Sequence, residues 1–249
     1  MAKIKSNIQL QQSSVSQLAI SNKLKIRLDE MSVIEPLTEN QRRFFEAFDK
    51  SKIMLLHGVA GTGKTFIALY HSLDEVLDKT KQYQKVIIVR SAVPSRDIGH
   101  LPGDEREKTE VYQEPYIDIC ESLFGRHDAY QRLIEQKAIQ FLITSFVRGI
   151  TLDDAIIIVD ECQNMTDMEL NSIITRVGER SKIIFCGDFR QTDLYKKTDM
   201  SGLKKFMAIA DMMPSFKIFE FGVEDIVRSS LVKEYILARL EYENRYGGN

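Results

Sequence analysis

Ile53-Met-Leu-Leu-His57-Gly58-Val59-Ala60-Gly61-Thr62-Gly63-Lys64-Thr65 decides the fold. Its first five residues have no polar alternation over Ile53–Leu56, which reads as a strand buried on both faces. The next eight match G-x-x-x-x-G-K-[ST], and a helical pattern begins near Lys64. Strand, glycine loop and helix in that order form a phosphate-binding loop. The glycines let the backbone curl, so that successive N–H groups of Gly58 to Thr65 point inward at a phosphate chain. The helix adds its positive dipole end to the same spot. Lys64 reaches the β- and γ-phosphates, and the Thr65 hydroxyl is placed to ligate Mg²⁺.

A second apolar run, Ala155-Ile-Ile-Ile-Val159, ends in Asp160-Glu161. Carboxylates at the carboxyl end of a buried parallel strand sit in the crevice where open α/β sheets bind ligands. Asp160 suits a metal held through water. Glu161 points elsewhere and suits a base that orients or deprotonates water.

The remaining sequence bounds the answer. The 249 residues are 43% apolar and 28% charged, with a net charge of −2. The chain therefore has material for a sizeable core and no global basic footprint for nucleic acid. Cys120, Cys162 and Cys186 form no C-x-x-C pair, which suits reduced structural thiols in a cytoplasmic compartment. No run approaches the ~20 apolar residues of a membrane span. The start, Met1-Ala-Lys-Ile-Lys-Ser-Asn, lacks the apolar segment of a secretion signal.

Residues 1–30 read as an N-terminal extension and 31–249 as a single domain. Leu24-Lys-Ile-Arg-Leu28 alternates like a short edge strand. Thr38 and Gln41 form a capping box for a helix through Phe48. Further strands are expected at 85–90, 139–144, 155–159, 182–186 and 216–221. Helices are expected at 65–77, 111–124, 129–137, 166–177 and from about 223 to 246, with a loop from Ser91 to Thr109. Strands alternating with helices predict an α/β fold, a mostly parallel sheet with helices on both faces.

Several elements together resemble the PhoH family of phosphate-loop nucleotide hydrolases, relatives of superfamily 1 helicases. Asp160-Glu-Cys-Gln-Asn-Met-Thr166 resembles its D-E-A-Q-N-x-T element, with Cys162 in place of alanine. Gly187-Asp-Phe-Arg-Gln191-Thr-Asp193 resembles G-D-x-x-Q-x-D, and Leu101–Lys108 resembles L-P-G-D-x-x-x-K. Phe146-Val-Arg148-Gly149-Ile-Thr-Leu152 resembles M-R-G-R-T-L, with Ile150 replacing the second arginine. Glu224-Asp225-Ile-Val-Arg228-Ser-Ser-Leu-Val232 resembles D-V-V-R-x-x-L-V.

The resemblance implies a RecA-like domain, in which one strand separates the loop strand from the acid strand. It implies ATP and Mg²⁺ as ligands, with Thr65 and Asp160 at the metal. Glu161, Lys64, Gln191 and Arg228 are its catalytic candidates. Gln191 would sense the γ-phosphate, or else cap a turn. Gln41 occupies the place of an adenine-reading glutamine, as an alternative to its capping role. Arg228 pairs with Asp225 or Glu224, or else serves the γ-phosphate of a neighbouring subunit; Arg148 is the other candidate for that role and is otherwise a surface cation. The 56 residues after Asp193 are fewer than the ~100 that a second such domain needs. Either a neighbouring subunit supplies the missing arginine or hydrolysis is slow; the resemblance implies the former, a homo-oligomer in the form of a hexameric ring.

The implied activity is an ATPase acting on RNA or single-stranded DNA. Basic pairs at Lys79 and Lys81, Lys196-Lys197 and Lys204-Lys205 fit that reading. An ATPase that switches a protein partner and a nucleotide-binding module with negligible turnover are the alternatives.

Overall fold

The apolar runs become the strands of one sheet in the computed structural model, which describes residues 25–91, 110–188 and 201–246. They are β1 (Ile53–Gly58), β2 (Lys85–Arg90), β3 (Ile139–Ile143), β4 (Ala155–Asp160), β5 (Lys182–Gly187) and β6 (Phe216–Phe221). Every neighbouring pair is parallel, in the order β3-β2-β4-β5-β1-β6. The loop strand β1 and the acid strand β4 are thus separated by β5, the RecA-like arrangement. The intervening strand comes later in the chain than both. β2 and β3, which lie between the loop and Asp160 in sequence, lie beyond β4 in space.

Helices cover both faces, which is why the central strands carry no polar alternation. One face packs α1 (Glu39–Phe48), α2 (Lys64–Leu77), α3 (Glu114–Phe124) and α4 (Ala129–Glu135) against Leu56, Ile88, Ile158 and Ile184. The other packs α5 (Asp167–Ile174) and α6 (Ser201–Asp211) against Leu55, Ile87, Ile157 and Phe185. Adjacent strand residues therefore alternate between two cores. Burying each such aliphatic side chain is worth roughly 1.5–3 kcal/mol. The last helix, α7 (Ser230–Tyr246), exposes Leu231, Tyr235 and Tyr242.

Several details differ from the sequence reading. Lys25 to Leu28 form no strand: Ile26 uses its N–H and C=O on the Gln136 amide, and a 3₁₀ turn follows at Leu28–Glu30. Ile26 is itself buried in the core. Residues 223–229 do not continue into the last helix; a 3₁₀ turn at Val223–Asp225 comes first. Helix α6 had no counterpart in the sequence reading, although Phe206, Met207 and Ala210 carry a helical spacing. Thr38 caps α1 by accepting from Gln41 N at 3.3 Å, but the Gln41 side chain does not reach back to close a capping box.

All three cysteines are free and buried, as structural thiols should be. Among the described residues no helix is long and apolar enough to cross a membrane. Leu101–Lys108, Gln191, Asp193 and Lys196-Lys197 lie outside the described residues.

Candidate functional site

The carboxyl ends of β1, β2, β4 and β5 open into a cleft of about 700 Å³. Gly58 ends β1 at φ 124°, and a Cβ there would lie 2.0 Å from the Phe221 carbonyl oxygen. That same carbonyl accepts from Val59 N at 2.9 Å, so β6 seats the start of the loop. Only glycine permits both the dihedral and the approach. Lys64 opens α2 and folds its ammonium into the loop, donating to Gly58 O at 3.0 Å and Val59 O at 2.8 Å. Burial pushes the Lys64 ammonium below its ordinary pKa, against the pull of Asp188 and the other nearby acids.

Gln41 is buried at the back of the loop. Its amide nitrogen donates to Thr62 O at 3.1 Å, and its oxygen accepts from Leu37 N at 2.8 Å. It therefore braces the loop from outside as well as lining the cleft.

Thr65 Oγ1 donates to Asp160 Oδ1 at 2.7 Å. A hydroxyl and a carboxylate in contact beside the loop are the two protein oxygens that a phosphate-bound Mg²⁺ needs. Among the described residues no group of three or more acidic, His or Cys side chains could hold a metal alone. That donor set fits an ion which draws its other ligands from phosphate and water.

Glu161 sits at φ 52°, in the left-handed region that non-glycine residues rarely occupy. The turn of backbone separates its carboxylate from that of Asp160. Gln163 Nε2 donates to Glu161 Oε2 at 2.5 Å, while Gln163 Oε1 accepts from Asp188 N at 3.0 Å. One buried amide thus ties the Glu161 carboxylate to the end of β5. Burial pushes the Glu161 carboxyl above its ordinary pKa and the Asp160 charge adds to this, while Gln163, Arg90 and Lys64 oppose it. A raised carboxyl is the direction suited to a base working near neutral pH.

Arg228 lines the cleft of its own chain. Its Cγ would lie 2.8 Å from a Cβ on Gly61, and Val227 N donates to Gly61 O at 3.0 Å. Its suggested partner Asp225 is engaged elsewhere, accepting from Asn40 Nδ2 at 2.8 Å and Gly222 N at 2.9 Å. Arg228 thus stands beside the loop of its own chain. Arg148 is exposed, with Nη2 3.4 Å from Met168 Sδ, and is not among the residues lining the cleft.

Two further residues belong to the site. Tyr116, fully buried in α3, donates to Asp160 Oδ2 at 2.8 Å. Burial, with the Asp160 charge next, pushes its phenol well above the ordinary value, so it keeps its proton. Arg90 ends β2 beside Asp160, lines the cleft, and donates to Tyr112 O at 3.3 Å. A charged residue closing an apolar strand beside Asp160 was a legible signal for Arg90. Nothing in the sequence links Tyr116 to Asp160, 44 positions away.

The sequence matches the family described as PhoH-like protein over residues 33–239. The chain belongs to the PhoH-like family. It is 34% identical over 221 residues to the PhoH-like protein of Mycobacterium leprae, covering 88% of this chain and 62% of that one. The PhoH-like protein of Bacillus subtilis is 35% identical over 206 residues, covering 81% and 62%. The protein PhoH of Escherichia coli is 30% identical over 202 residues, covering 80% and 56%. The chain thus spans about three fifths of the length of these PhoH-like relatives. Among solved structures it is similar to the large terminase from a thermophilic bacteriophage in complex with ADP, at TM-score 0.45 and 14% identity, covering 85% of this chain and 50% of that one. It is also similar to unliganded Pif1 from Bacteroides sp, at TM-score 0.39 and 17% identity, covering 86% and 46%.

Proposed function

We propose that this PhoH-like chain is an Mg²⁺-dependent ATPase that acts on RNA or single-stranded DNA. The observation that carries the reading is the 2.7 Å contact between Thr65 and Asp160, with Lys64 and Glu161 opening into the same cleft. The loop amides and Lys64 bind the β- and γ-phosphates. Thr65 and Asp160 would hold Mg²⁺, whose charge neutralises the phosphates when bound. Glu161, steered by Gln163, orients the attacking water and takes its proton. Lys64 and Arg228 stabilise the negative charge that develops on the transferred phosphoryl group. The position of Arg228 beside Gly61 favours action within one chain. In a ring, the exposed Arg148 is the candidate for a further arginine reaching a neighbour's phosphates.

Action on nucleic acid rests on membership of the PhoH-like family and on the likeness of its motifs to those of superfamily 1 helicases. The competing reading is an ATPase that switches a protein partner. ATPase rate with and without single-stranded RNA separates the two. Stimulation by RNA supports the proposal. Hydrolysis indifferent to RNA, with no RNA binding at low salt, supports the partner switch. No nucleotide binding by calorimetry overturns both.

A further inference from the structure

Among the described residues the sheet ends at β3, and a groove of about 770 Å³ runs along that end, apart from the nucleotide cleft. Its chemistry departs from that of the chain as a whole, which carries 36 acidic against 34 basic residues. Lys85, Lys137 and four glutamines supply its polar lining, and no carboxylate is among the described residues that line it. Phe146, 50% exposed, lines it as well, beyond the carboxyl end of β3. Five strand residues at ~3.3 Å each give the edge a length of roughly 17 Å.

Lys137 adds a second observation. It holds φ 61°, the left-handed region that glycine and asparagine adopt readily and lysine does not. The helix α4 ends there, and a glycine is the usual solution at such a stop. A strained backbone that presents a cation to a groove points to use of the cation.

We propose that this groove binds a single-stranded polynucleotide. The two cations, side by side at the amino ends of β2 and β3, match phosphates of a backbone. A half-exposed phenylalanine offers a face on which a base stacks, and the amides other than that of Gln136, which holds Ile26, offer hydrogen bonds to base edges. The amides are set in place beforehand: Gln140 accepts from Lys85 Nζ at 3.3 Å and Gln113 from the Tyr130 hydroxyl at 2.9 Å. The groove also touches the nucleotide site through one turn of chain. Gln113 lines the groove, Pro115 lines the cleft, and Tyr116 holds Asp160. One turn of chain therefore joins the groove to the residue that holds the metal-binding acid, a link whose use rests on the ATPase reading above.

The test is fluorescence anisotropy of a short labelled oligouridylate across a salt series, with thermal midpoints recorded in parallel. Lys137→Asn removes the charge and suits the backbone better. Weaker RNA binding, a salt slope smaller by about 0.7, and an equal or higher midpoint are expected. Lys85→Gln together with Lys137→Asn should double that change in slope. Phe146→Ala, an exposed position, should weaken binding roughly tenfold. If the parent binds RNA and all these variants bind it equally well, the groove belongs to another occupant, such as an extended peptide pairing with β3. The inference then fails while the ATPase reading stands. A parent protein that binds no RNA even at low salt overturns both the groove and the nucleic-acid reading.

Discussion

Replacing Tyr116 with phenylalanine removes one hydroxyl from the interior and with it the donor to Asp160 Oδ2, 2.8 Å away. The ring stays, and so does its contact with Phe141, at 5.9 Å between centroids. Lost packing is therefore small. What is lost is a hydrogen bond to a buried carboxylate, of the kind worth about 1.5–3 kcal/mol. Water cannot easily replace it, because Tyr116 is fully buried. We expect Tyr116→Phe to lose about 2 kcal/mol of stability without nucleotide, which for a chain of this size is a fall of about 4–8 °C in Tm. The second consequence is functional. An Asp160 carboxylate free to rotate holds its ion less well, and losing an outer-shell partner typically costs about 10–100-fold in metal affinity. Calorimetric melting measures the first effect. Mn²⁺ binding in the presence of ADP, followed by electron paramagnetic resonance, measures the second without turnover. In an Asp160→Ala background, where the carboxylate is gone, Tyr116→Phe should change Mn²⁺ binding no further. A variant that melts within about 1 °C of the parent and binds Mn²⁺ identically refutes the role of Tyr116.

Lys64→Ala should abolish most nucleotide affinity in titration calorimetry while leaving the apo melting temperature nearly unchanged, since among the described residues its ammonium bonds to loop oxygens. Glu161→Gln should bind ATP and fail to turn it over, as seen in single-turnover assays. Because the Glu161 carboxyl is raised, its contribution to stability is fully present below the ordinary pKa of 4.5 and is lost as pH rises through the folded-state value. Glu161→Gln should therefore be more stable than the parent at neutral pH, with the difference vanishing in acid; the acid limb of the parent kcat/KM profile, which reports the free enzyme, should lie above pH 4.5. Gly58→Ala should cost about 3 kcal/mol or more in urea denaturation, since the side chain meets both a positive φ and the Phe221 carbonyl.

The parts of the site visible in the sequence are those that lie close together along the chain. Gly58 to Thr65 form one loop, and Asp160-Glu161 end one apolar run, so residue type and spacing carry their roles. The parallel sheet was visible for the same reason: strands buried on both faces lose their alternation. What was hidden depends on contacts distant in sequence. Tyr116 meets Asp160, and Gln163 ties Glu161 to Asp188, only once α3 and β5 have packed against β4. Arg228 was visible as a motif residue, but its place beside Gly61 follows from where β6 delivers the chain. The strand expected near Leu24–Leu28 does not form over its described part, Lys25 to Leu28, because alternation over so few residues marks one buried side chain, Ile26, as readily as a strand.

The strand order has a consequence for how the chain is made. β1 is flanked by β5 and β6, both synthesised after residue 181. About 130 residues must follow Ile53 before its first partner strand exists, which at ~5–20 residues per second is roughly 6–26 s of translation. Throughout that interval the strand feeding the phosphate loop has open backbone edges and no neighbour in its own sheet. Every strand pairing joins segments distant in sequence, so folding should be slow for the size of the chain. Nascent chains halted before β5 should be protease-sensitive and retained by holdase chaperones, and the nucleotide cleft, drawn from residues 34 to 228, should be among the last features to close.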